Sequence, residues 1–135
     1  LSEGHLSLIG NKGWYKKGGR RAYFGQIPLE AMSIVLMFKK AYELTHNRLY
    51  YSHLLTSFNW FLGENDLRIA LYDPESRGCC DGLEEDGINR NQGAESSLAL
   101  LIALQATLEA KELHDAENLD DIKDAPSIRV KAVKS

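Results

Sequence analysis

The chain has 135 residues, 44% of them apolar and 26% charged, with a formal net charge of -3. That length suits one domain, the apolar content excludes wholesale disorder, and the weak charge excludes a global pull toward nucleic acid. Two cysteines, adjacent at Cys79 and Cys80, exclude a disulfide-stapled scaffold and fit a reducing, cytoplasmic interior. The apolar runs fall short of the roughly 18–20 residues that span a bilayer, so no membrane association is expected. The first residue is Leu1, without a signal-peptide pattern, and the chain is expected to be a piece of something longer.

Residues 1–25 read as irregular, broken by Gly4, Gly10, Gly13, Gly18, Gly19 and Gly25. Lys12, Lys16, Lys17, Arg20 and Arg21 sit here among Trp14, Tyr15, Tyr23 and Phe24. The plain reading is a surface loop; the sharper one presents Trp14 or Arg20 to an anionic or sugar ligand. A first helix is expected from Ile27 to Thr45, with Pro28 in its first turn and Glu30 near the positive end of the dipole. Ala31, Ile34, Val35, Phe38, Ala41 and Tyr42 follow the helical period, while Met32, Leu36 and Met37 widen the stripe. Such a helix is covered on more than one side. Asn47 is a good cap for a second helix from Arg48 to Leu62, which Gly63 stops. The short link predicts an antiparallel αα-hairpin.

Residues 63–93 show no helical period apart from a possible extended piece at Arg68–Tyr72, and are dense in turn signals. Trp60, Leu71, Tyr72, Leu83 and Ile88 argue for order, so this stretch reads as an ordered, functional loop. A third helix starts near Gln92–Glu95 and is expected to end near Leu113. Residues 115–135 read as a charged tail, mobile after about Asp121, leaving residues 1–114 as the helical domain. Three such wide apolar faces exceed what a free-standing three-helix unit covers. Either the rest of a larger parent chain supplies neighbours, or the chain forms a homo-oligomer.

Standard catalytic signatures do not match: the glycines form no dinucleotide or phosphate-loop pattern, and neither His-Glu-x-x-His nor Gly-x-Ser-x-Gly occurs. The acids at Asp81, Glu84 and Asp86 lack the calcium-loop spacing. Adjacent Cys79 and Cys80 with His46 or His53 have the wrong spacing for structural zinc. Neither metal nor cofactor is expected.

Four strings carry a resemblance: Ile9–Tyr15, Trp60–Leu67, Leu71–Leu83 and Gly87–Ser96. Together they resemble the C-terminal helical region of bacterial group-1, retaining GT-B glycosyltransferase-like proteins, often labelled mannosyltransferases. The similarity covers about residues 6–112. It implies an all-α fold: a fragment of an (α/α) toroid, built from helical hairpins, with the long loop at 63–93. It further implies a carbohydrate-active parent in which this region binds or orients a glycan, mannoside-like, while sugar transfer lies elsewhere. Two positions depart from the pattern: Gly25-Gln26 stands where Asp or a similar polar residue is expected before the first helix, and Arg68 stands where Gly is expected.

Those strings hold sugar-site chemistry. Asn65, Asp66, Asp81, Asn89, Asn91, Gln92 and Glu95 offer planar hydrogen-bonding groups, and Trp60, Tyr72 or Trp14 an aromatic face for the C–H side of a ring. Asp81 and Glu95 are the candidate acid/base pair if their carboxyls fall within roughly 5–10 Å of each other. The rival reading makes the same Asn and Asp residues turns and caps of a packing or dimerisation module. A third reading, a toroid hydrolase or epimerase, needs more helices than this chain holds. The positions of Glu95, Asp81 and Trp60 discriminate: one shared cleft favours sugar, separate capping contacts favour the scaffold.

Overall fold

Pro28 lacks an amide proton that the first turn of a helix cannot use anyway, and α1 starts there, running Pro28–Thr45. The computed structural model describes residues 1, 4–10 and 24–124. Trp14 and the cations at Lys12, Lys16, Lys17, Arg20 and Arg21 lie outside the described residues, as does 125–135. α1 ends as His46 turns left-handed at φ 54° and its amide bonds the Tyr42 carbonyl. Asn47 then caps α2 (Arg48–Phe58) by accepting from the Leu49 amide at 3.0 Å. The expected end at Leu62 is reached through a tighter 3₁₀ turn, Asn59–Leu62. Gly63, at φ 110°, makes the left-handed stop.

The third helix, α3, spans Ala94–Lys123. α1 packs against both α2 and α3. Ala31, Val35 and Tyr42 meet Leu54, Trp60 and Phe61 in the buried cluster, with Leu100, Ala103, Ala106 and Ala110 from α3. The alanine stripe lets the α3 backbone lie close to its neighbours. Ring contacts between α1 and α2 run in reverse chain order, Tyr42 with Tyr51 and Phe38 with His53.

Two expectations need correction. The stretch at 63–93 is not purely loop, because Gly82–Glu84 (β1) and Gly87–Asn89 (β2) pair antiparallel, Leu83 opposite Ile88. Gln26 bridges the other side of Leu83, and Tyr72 bridges Cys79. The fold is therefore mostly helical with a small sheet. The stretch is dense in turn signals, and three-residue strands are too short to show a period of two.

The second correction concerns α3, which continues past Leu113 and past the expected tail boundary at 114/115 to Lys123. Apolar periodicity fades there, but polar contacts replace it: Lys111 bonds Asp115 at 2.6 Å, Glu117 meets Tyr42 and His46, and Asp121 pairs with Arg48. Among the described residues no helix is long and apolar enough to cross a membrane.

Candidate functional site

The candidate residues form three groups, of which the second and third adjoin at Gln92 and Gly93. The first surrounds Asp66, just after the 3₁₀ turn. Its Oδ1 lies 2.8 Å from Nε2 of buried His5, and Oδ2 accepts from Ser7 Oγ and Gln26 Nε2, both at 2.7 Å. Burial alone would raise this carboxyl's pKa, but the bonds from Ser7, His5 and Gln26 together hold it below the usual range. Arg68 Nη2 lies 3.3 Å from His5 Nδ1. A guanidinium only donates, so Nδ1 accepts and Nε2 carries the proton that Asp66 receives. Ser7 bonds the carboxylate and not the imidazole, so the trio is not a nucleophile–base relay.

Trp60 belongs to this group as a core residue: it is fully buried, and its Nε1 donates to Gln26 Oε1 at 3.1 Å. It offers no sugar platform. Asn65 is equally buried and serves its own loop, donating to the Trp60 and Ile69 carbonyls at 2.9 and 2.8 Å and accepting from the Leu67 amide. His5, Ser7 and Gln26 were missed, because the first two lie in a segment read as surface loop. Arg68, the departure from the expected Gly, is left-handed at φ 54°. Glycine would adopt that conformation without the Cβ cost.

The second group lies at the start of α3. Asp81 Oδ1 accepts from the Gly93 amide at 2.8 Å and from Ser96 Oγ at 2.7 Å. Gly93, the helix's own cap position, has no side chain to do this. Asp81 therefore caps α3 from a distant loop, and its amide bonds the Asn89 and Asn91 carbonyls. The Asn91 carbonyl is thus part of the loop's own bonding. Glu95 stands exposed in the first turn, where it complements the helix dipole. Asp81 Oδ1 is committed to the cap, while Glu95 stands exposed in the first turn.

The third group is the most open. Gln92, exposed, donates to Asp73 Oδ2 at 2.9 Å and accepts from Ser76 Oγ at 2.6 Å. The bond from Gln92 first, with those of Glu75 and Ser76, keeps the Asp73 carboxyl below its usual range. A Cβ at Gly78 would run into Gln92 Oε1, the far end of an exposed side chain, which would have to shift. Beside the cluster lies a recess of about 450 Å³ walled by Phe58, Leu62, Tyr72, Arg77, Leu100 and Leu104. Of the two predicted aromatics among the described residues, Tyr72 faces this recess and Trp60 is buried in the core.

Cys79 and Cys80 are buried free thiols, and burial pushes Cys79 up to about 12, with Cys80 and Asp81 adding to the effect. Neither is a nucleophile at neutral pH. Among the described residues no group of three or more His, Cys, Asp or Glu side chains could hold a metal ion. No protein-family model and no curated protein matches the chain.

Proposed function

We propose that this chain is a helical unit of a larger carbohydrate-active, glycosyltransferase-like protein, and that it serves there as a non-catalytic packing module. Its Asn and Asp strings act as structural caps. The observation that carries this reading is Asp81, whose Oδ1 is committed to Gly93 and Ser96 at the start of α3. Asn65 and Trp60 support it, since both are buried and bonded within the chain. The outward faces of α1 and α3 carry Leu36, Met37, Leu98, Leu101, Ile102 and Leu108 in the open. Neighbouring helical hairpins of an (α/α) toroid, or a second copy, would cover them. A cytoplasmic place goes with this reading, in keeping with the two free thiols. The test is size and stability in solution: a defined oligomer, or a stable complex with added flanking helices, is expected. A soluble monomer with these faces permanently bare would sink it.

One observation favours a second reading, in which the unit binds or orients a mannoside-like glycan. The Asp73–Ser76–Gln92 cluster beside Tyr72 and Arg77 combines planar polar groups with an aromatic wall. Titration with manno-oligosaccharides, read by amide chemical shifts, should then move Tyr72, Arg77 and Gln92 while leaving Asp81 still. Absence of shifts at Gln92 at millimolar sugar leaves only the packing role.

A further inference from the structure

α3 changes its means of attachment along its length. As far as Ala110 it is held by buried small and apolar side chains, Ala99, Leu100, Ala103, Ala106 and Ala110. Beyond Leu113 its large apolar side chains turn away: Leu119 is 57% and Ile122 55% exposed. What turns inward is polar. One oxygen of Glu117 accepts from the buried Tyr42 hydroxyl, and the other meets Nδ1 of His46. Asp121 pairs with Arg48 of α2. His114 stacks on Tyr51, ring centroids 4.1 Å apart and planes 14° from parallel.

Local preference opposes this arrangement. Asp120 and Asp121 stand in the last turn, at the negative end of the helix dipole, which disfavours acids, and Lys123 is the last-turn cation. The end of α3 therefore depends on its contacts with α1 and α2. Two of those contacts, from Tyr42 and His46, meet on the Glu117 carboxylate at the corner where His46 turns left-handed.

We propose that residues 114–123 form a strap, clasped to the α1–α2 corner through Glu117, which releases as a unit while the rest of α3 stays docked. Loss of the Glu117 charge opens the clasp and uncovers Tyr42 and Tyr51. The charged and titratable groups around it are Tyr42 of α1, His46 at the corner, and Arg48 and Tyr51 of α2. From α3 itself come Lys111, His114, Asp115 and Asp121. The bonds from Tyr42 and then His46 hold the Glu117 carboxyl below its usual range. The clasp is thus present above the ordinary glutamate range and is lost as pH falls through that lowered value. Burial, with the bond to Glu117, pushes the Tyr42 hydroxyl up to about 12, so it remains a donor at neutral pH.

Amide hydrogen exchange tests this directly. In Glu117→Gln, exchange at 114–123 should rise about tenfold while 96–110 keeps its protection. Tyr42→Phe, which keeps the ring and drops the hydroxyl, should raise the same segment by a smaller factor. If Glu117→Gln does not fold, the wild type supplies the readout: after correction for intrinsic rates, acidification through and below the ordinary glutamate range should deprotect 114–123 before 96–110. An unchanged strap, or a uniform rise along all of α3, overturns the proposal.

Discussion

The Asp81 carboxylate reaches across twelve residues of chain to the Gly93 amide, 2.8 Å away, and supplies the cap that glycine cannot. The same oxygen takes the Ser96 hydroxyl. Asp81→Ala leaves both donors at the start of α3 without this acceptor, and should cost about 2 kcal/mol. Urea unfolding should show a lower midpoint at unchanged slope. Glu95→Ala, one turn away and exposed, should change stability by less than about 0.5 kcal/mol. Equal effects at the two positions would contradict the division of roles between them.

Asp66 should contribute to the acid limb of stability, together with the other lowered carboxyls such as Asp73 and Glu117. Its folded pKa lies below the ordinary aspartate value, so the carboxylate's contribution is fully present above the unfolded pKa. It is lost as pH falls through the depressed folded value. Stability measured from pH 6 down to pH 2 should fall through this window in the wild type. Asp66→Asn should flatten that part of the curve. At neutral pH, Asp66→Ala should cost about 3 kcal/mol, because His5, Ser7 and Gln26 all lose a charged acceptor in a largely buried place. An acid limb unchanged in Asp66→Asn would assign it to other carboxyls.

The helices were legible in the sequence because their signals are local. Pro28, Asn47 and Gly63 mark boundaries by chemistry that acts within one turn, and the apolar period of α1 needs no knowledge of its partners. The end of α3 was not legible, since Glu117 and Asp121 are anchored by Tyr42, His46 and Arg48, which are about seventy residues away in the chain. The site shows the same division. Asn65, Asp81 and Gln92 were recognisable as residues with planar polar groups, but sequence does not say whether such a group faces a ligand or a neighbouring amide. Trp60 illustrates it best: its indole N–H is spent on Gln26, a partner with no sequence signature.

Trp60→Phe should therefore act on stability and not on any ligand. The change removes the indole donor from Gln26 Oε1 and leaves a gap in a fully buried place. The expected cost is about 2–3 kcal/mol, from one lost buried hydrogen bond plus the smaller ring. Near-ultraviolet circular dichroism should report looser packing around Phe61, whose ring lies edge-on to Trp60 at 5.2 Å between centroids. Unchanged stability with altered sugar binding would instead make Trp60 a platform.

Arg77 should be improvable. Its backbone is left-handed at φ 60°, a region that costs a residue with a Cβ about 1–2 kcal/mol. The turn keeps it there: the Arg77 amide bonds the Asp73 carbonyl at 2.7 Å and the Asp73 amide bonds the Gly78 carbonyl at 3.0 Å. Arg77→Gly removes the steric cost but loosens the unfolded chain, so the net gain should be about 0.5–1 kcal/mol. Arg68→Gly relieves a similar strain at φ 54° but also gives up the guanidinium contact with His5, and should gain less. Thermal unfolding of the two single variants orders them, Arg77→Gly highest. The Arg77 side chain also walls the recess beside Tyr72. A variant that is more stable but binds manno-oligosaccharide less tightly would show backbone strain retained for the sake of a ligand contact, whereas a gain in stability with no change in binding would leave that strain without a role in recognition.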